Sequence, residues 1–227
     1  MAEPLRQRRV ISSGSPGRNS GVDLITAGNH ALRMLAALGI RCETPSMADT
    51  PYRFAKALHE LTSGRLLDPR RHLQVQFEDG SRDPQPIIVT GIPFDALCEH
   101  HLLPFSGTAA VVYLPQPGQN VVGLSKIARV VQEYARRFTV QERLVNDVVT
   151  AIQEVLHPAG AGVYARSGHT CMSTRGAMAH GAEMICSAYT GRYLTKAALR
   201  SEFLTLALAN ASPVQIPEPS ALPPELP

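Results

Sequence analysis

What the chain lacks narrows the possibilities first. No stretch approaches the roughly 18 consecutive apolar residues that a membrane helix needs, so no membrane partner is expected. The opening MAEPLRQRRV carries arginines but no apolar segment behind them; no secretory signal is visible, and a cytoplasmic location is expected. Cysteine is scarce. The four (Cys42, Cys98, Cys171, Cys186) show no framework spacing and, with only 17 glycines, exclude a disulfide scaffold and a collagen-like chain. In a cytosolic protein such cysteines are metal ligands, nucleophiles or plain core. A basic run is also missing: a net charge of +3 over 227 residues argues for no nucleic acid, though it suits a small anion. Neither a P-loop nor G-x-G-x-x-G occurs, which removes the common nucleotide-binding loops.

What is present is enough apolar surface, 44% of residues, for one large domain or two small ones. Residues 1–20 mix Arg, Ser, Gly and Pro without period, and 212–227 hold six prolines, so both ends read as tails around a domain at 21–211. Apolar spacing predicts a helix from Val22 to Leu38, stopped by Gly39. A second helix is predicted from Thr50 as N-cap and Pro51, burying Phe54, Ala57, Leu58 and Leu61 and ending at Ser63-Gly64. Leu73, Val75 and Phe77 alternate as a half-buried strand, with further strands over Pro86–Ile92 and Thr108–Leu114. Helices follow around Ile127, Val130, Val131 and Tyr134 and around Leu144, Val148, Ala151, Ile152 and Val155, then strands near 161–167 and 182–189. The order α, α, β, β, β, α, α, β, β points to an α+β fold with an antiparallel sheet and paired helices.

The densest chemistry is Cys98-Glu99-His100-His101. A Cys and a His three apart can hold one metal from a tight turn, though C-x-x-H alone is a weak signal, and His169-Thr170-Cys171 offers a second nitrogen and sulfur on one side of an extended segment. Zinc accepts thiolate and imidazole, and an open catalytic site uses three protein ligands. Cys98, His101 and Cys171 make such a set, leaving His100 and His169 as uncommitted imidazoles. The competing reading makes both cysteines core residues, since free Cys is among the most buried types. Arg53 and Lys56 in one helix start, and Ser125, Lys126 and Arg129 in another, have the makings of phosphate cradles, with Arg175 four residues beyond Cys171. As single residues they equally fit a solvated face. Gln141-Glu142 opens a helix, where Glu is ordinarily a dipole partner.

At these residues the chain resembles the GTP cyclohydrolase I family. DTPYRFAKALHELTSG (49–64), CEHHLLPFSG (98–107), VVGLSKIARVV (121–131), VQERL (140–144) and HTCMSTRG (169–176) match in the family's order, over about Val22 to Leu194. The resemblance implies a tunnelling fold (T-fold) at 67–211 behind an N-terminal helical extension at 21–66, assembled as a toroidal homodecamer with sites between subunits. It implies a Zn²⁺ cofactor on Cys98, His101 and Cys171, proton handling by His100 and His169, and a catalytic place for Ser125. Guanine recognition falls to Glu142 with Gln141 beside it. Triphosphate and ribose binding fall to Arg53, Lys56, Ser125, Lys126, Arg129 and Arg175. The implied activity is hydrolysis of GTP at purine C8, release of formate and rearrangement to 7,8-dihydroneopterin triphosphate. The alternatives are ring opening without pterin formation, or a non-catalytic purine-binding regulatory paralogue. Asp95-Ala96, Thr108 and Met184-Ile185-Cys186 depart from the family's usual Ser, Lys and T-x-T-S, and bear on the later steps more than on zinc.

Overall fold

A computed structural model describes residues 21–78 and 81–209. The expected tails lie outside these residues. The chain divides into two compact units, with the boundary along the chain between Glu60 and Leu61.

The N-terminal unit holds α1 (Leu24–Ala37) and α2 (Thr50–Leu61, whose last residue crosses the boundary). Asp23 caps α1, its carboxylate accepting from the N–H groups of Ile25 and Thr26, which satisfies donors a helix start leaves open. Thr50 is itself the first helical residue of α2, not its cap. Within α2 the buried positions are Pro51 and Ala55, whereas Phe54, expected inside, is 42% exposed. Leu38 beyond α1 is likewise open, at 67%.

In the second unit 3-10 turns at Ser63–Leu66 and Pro69–Gln74 precede β1 (Gln76–Phe77). The strand expected through Leu73, Val75 and Phe77 is therefore shorter: Leu73 is buried in a 3-10 turn, and Phe77 lies open at 59%. The pattern misled because Asp68 caps the turn, accepting from the Arg70 N–H, and Pro69 fits a helical first position. Next come β2 (Ile87–Cys98), β3 (Pro104–Leu114), β4 (Val121–Val122), α3 (Leu124–Ala135), β5 (Phe138–Thr139) and α4 (Gln141–Leu156). The chain closes with β6 (Gly160–His169), α5 (Thr170–Ser173), β7 (Glu183–Thr190), α6 (Gly191–Thr195) and α7 (Ala197–Ala209).

The main sheet runs β5-β2-β3-β6-β7, while β1 pairs with β4 separately. It is antiparallel as expected except at one edge, where β5 joins β2 in parallel through Leu97–Phe138 and Cys98–Thr139. A two-residue strand carries no period, so nothing in the pattern announced it. Gly91, at φ +67°, sits in the register shift between Val89 and Ile92, where an extra residue bends β2. Gly107 stands where β3 and β6 close up: a Cβ there would overlap the Arg166 carbonyl oxygen.

The run AAVVYL in β3 is apolar on both faces because both are covered. Ala109, Val111 and Tyr113 join Val130, Val131, Val148 and Ile152 of α3 and α4 in the main core; Ala110, Val112 and Leu114 join Tyr193 and Phe203 of α6 and α7 in a second. Sequence reasoning missed those last two helices. In AALRSEFLTLALA the apolar residues encircle the helix instead of forming a stripe.

Candidate metal centre and its surroundings

The expected ligands converge at one end of the sheet. Cys98 ends β2 and enters a turn in which its carbonyl accepts from the Leu102 N–H at 2.8 Å, while its own N–H donates to Leu103 O at 2.9 Å. Leu102 takes a left-handed φ of +56° to close it, a conformation uncommon for a residue with a side chain. His101 is thereby turned back, Nδ1 4.0 Å from Cys98 Sγ. Cys171 arrives from β6, and the ligand atoms of Cys98, His101 and Cys171 all lie within 4.8 Å of one another.

The expected route to that convergence was wrong in detail. His169 and Cys171 do not share an extended segment: His169 is the N-cap of α5 and Cys171 lies within that helical turn. The Thr170 hydroxyl donates to Pro104 O at 2.6 Å, pinning the turn to β3 beside the Cys98 loop.

Two soft thiols and an imidazole suit a borderline-soft divalent ion such as zinc, and three donors leave a coordination position open. Cys98 is buried, Cys171 partly so and His101 exposed, so the cluster is protected on one side and reachable on the other. Burial pushes the Cys171 thiol up, and the neighbouring Cys98 adds to that.

His169 lies parallel to Phe105, ring centroids 4.4 Å apart and planes within 5°, as expected of cross-strand partners in register. Burial pushes its imidazole down from the usual value, with the Glu142 charge opposing. Glu142 is exposed in the first turn of α4, and its charge is also felt at Cys186 on β7. The short β5 makes this proximity possible: Phe138 and Thr139 pair beside Leu97 and Cys98, setting the start of α4 against the ligand loop. Glu99 and Arg143 form an ion pair across the same junction. His100 is exposed, its ring 6.3 Å from that of His101 and edge-on.

Gln141 was expected beside Glu142 as a guanine contact. It is 0% exposed and wholly engaged with Ala165, Ser167, His169 and Met184, so it faces the interior. Phe105 and Ser167 were given no role in advance. Phe105 stood within the CEHHLLPFSG block, and that was the available signal.

The expected phosphate-binding residues belong to several elements of both units. Ser125, Lys126 and Arg129 occupy the first turns of α3, and Arg175 is exposed after α5, where its charge bears on Cys171. Among the described residues no recorded hydrogen bond or ion pair ties Ser125, Lys126 or Arg129 to the ligand cluster. Arg129 instead borders a cavity of about 450 Å³ with Arg71, His72, Glu133 and Arg136; none of the three ligands lines it. In the N-terminal unit Arg53 donates to Ser46 O at 2.6 Å, and Lys56 pairs with Glu60 at 3.8 Å.

Fold and site together define an α+β protein with a candidate Cys-His-Cys metal centre beside a half-buried imidazole and an exposed carboxylate. The family model for GTP cyclohydrolase I matches residues 27–208. GTP cyclohydrolase 1 of Bacillus mycoides (strain KBAB4) is 42% identical over 182 residues, 80% of this chain and 95% of that protein. The protein of the same name from Bacillus cereus (strain B4264) is 43% identical over 177 residues, 78% of this chain and 92% of its own length. The chain belongs to the GTP cyclohydrolase I family. A solved apo form of the archaeosine synthase QueF-Like overlaps at 18% identity and a TM-score of 0.38, over 49% of this chain and 96% of that one, too loosely to carry weight. No described helix is long and apolar enough to cross a membrane.

Proposed function

We propose that this chain is a zinc-dependent GTP cyclohydrolase acting in the cytoplasm, which attacks purine C8, releases formate and carries the product on to 7,8-dihydroneopterin triphosphate. The observation that carries this reading is the convergence of Cys98, His101 and Cys171 beside His169 and Glu142. Cys98, His101 and Cys171 would hold the ion, which would supply the Lewis acidity that makes water a nucleophile near neutral pH.

The chain's own residues do the rest. Glu142 accepts from guanine N1–H and the exocyclic amine, a pair of donors that adenine does not present. His169 and His100 move protons to and from the ring nitrogens as the two C8–N bonds break, a task suited to imidazole near neutral pH. Ser125, Lys126, Arg129 and Arg175, with Arg53 and Lys56, take the ribose and triphosphate, offering charge-assisted hydrogen bonds to its oxygens.

The later steps demand a flexible intermediate held in place, and the departures from the family pattern leave room for that. The Asp95 carboxylate is occupied on the exposed side of β2, accepting from Ser106 at 2.6 Å. Ala96 packs into the core. Met184 meets Gln141 through its backbone carbonyl, which any residue supplies. Incubation with GTP and zinc, measuring formate and oxidised, fluorescent pterin together, tests the proposal. Equal molar yields are expected. Formate without pterin would reduce the protein to a ring-opening hydrolase, and neither product would leave a binding paralogue.

A further inference from the structure

One buried side chain ties three elements to the imidazole. Gln141 Nε2 donates to Ala165 O on β6 at 2.9 Å and to Met184 O on β7 at 3.0 Å. Its Oε1 accepts from Ser167 Oγ at 2.5 Å and faces His169 Nε2 at 3.1 Å. All of this happens at 0% exposure, so water cannot stand in for any partner. The amide has only one workable orientation. Turned over, its oxygen would meet two carbonyl oxygens, and the lost pairs would stay buried and unsatisfied.

The protonation of the imidazole follows from that orientation. An amide oxygen only accepts, so the contact with His169 closes as a hydrogen bond when Nε2 carries hydrogen. In the neutral ring the lone pair then sits on Nδ1. Ser167 and His169 are two apart on β6 and present their side chains to the same face, which lets one oxygen serve both. Phe105, stacked at 4.4 Å, fixes the remaining freedom of the ring plane.

We propose that Gln141 is a positioning residue that holds His169 as the Nε2–H tautomer, flat against Phe105, so that Nδ1 is the nitrogen that exchanges protons during turnover. This rests on the reading of His169 as a proton-transfer group. It assigns Gln141 away from guanine, to which its amide has no free valence to offer.

The zinc-loaded full chain, labelled with ¹⁵N-histidine, is the material for the test. Magic-angle-spinning NMR reads the tautomer directly, and comparison with His169→Gln assigns the signal. The expected result is a protonated Nε2 and a bare Nδ1 on His169; a bare Nε2 overturns the proposal. Gln141→Met keeps the side-chain length and removes the amide. Its zinc content should hold, and the His169 tautomers should mix. Turnover should fall about 100-fold, with KM for GTP moving by no more than about twofold. A raised KM with kcat intact makes Gln141 a substrate contact and overturns the proposal. If Gln141→Met does not fold, the wild-type spectrum still decides. Full turnover by His169→Gln overturns the underlying proton-transfer reading, and is distinguishable because the wild-type tautomer is read without turnover.

Discussion

At the scale of single residues, Cys98 lies in the main core with Cys171 packed against it, and their sulfurs come within 4.8 Å of each other. As core residues they would act as small hydrophobes, and Cys98→Ser or Cys171→Ser would cost only modest stability. As ligands they make the centre, and an oxygen is a poorer partner for zinc than thiolate. Each variant is expected to lose stoichiometric zinc by metal analysis, and to lose formate release with it; full, tight zinc in both would return the cysteines to the core. Glu142 is decided in the same way. Each charge-assisted hydrogen bond to guanine contributes on the order of 1.5–3 kcal/mol, so Glu142→Gln should weaken GTP binding by roughly tenfold or more while leaving zinc in place. Isothermal titration with GTP on the zinc-loaded protein checks this, and unchanged affinity would make Glu142 no more than a charge at a helix start.

At the scale of elements, what was legible followed from period and what was not followed from its lack. The helices α3 and α4 bury Ile127, Val130, Val131, Leu144, Val148 and Ile152 at the spacing that predicted them. The ligand set was legible as spacing too, and its atoms converge. By contrast β5 is two residues long, the turn at Pro69–Gln74 mimics alternation, and α7 has no apolar stripe, so local pattern had no purchase on them. The burial of Gln141 was illegible for another reason. Its partners come from β6 and β7, 24 to 43 residues away, and only the closed sheet brings them there. The junction of α3 with the Pro69–Gln74 turn carries a prediction of its own. Glu133 accepts from His72 at 2.8 Å and from Arg71 at 2.5 Å. Burial pushes its carboxyl up, but the bonds from His72 and Arg71 and their charges together outweigh this and hold it below the usual range. A carboxyl whose folded value is depressed stabilises the fold above its unfolded value, about pH 4.3, and loses that contribution as pH falls through the folded one. Glu133→Gln should therefore cost about 1–3 kcal/mol at pH 7, a gap that shrinks steadily below pH 4.3 in denaturant unfolding. A gap that persists to strongly acidic pH would mean the loss is one of shape and not of charge.

At the scale of the whole molecule, the N-terminal unit leaves apolar side chains outside: Leu38, Ile40, Tyr52 and Phe54 are all exposed. Where exposed apolar residues form a contiguous patch, they mark a surface that another chain covers. The same unit carries Arg53 and Lys56, whereas the metal ligands belong to the second unit. A ring with each site shared between subunits, which the family resemblance implies, would cover exposed apolar residues with neighbouring chains and would bring cations of one subunit to the triphosphate held at another's metal centre. Symmetric assemblies make this testable by mixing. Cys98→Ser lacks a ligand and Arg53→Ala lacks a phosphate contact, so each alone should be inactive or nearly so. When the two are co-refolded, random association leaves about a quarter of shared sites with both residues intact. Formate release should then recover toward that fraction of wild type, while a mixture of separately assembled variants stays inactive. If the two residues of a site come from the same chain, no intact site can form in any mixture. Absence of recovery from co-refolded material, with particle size by light scattering unchanged from wild type, would place the whole site within one subunit.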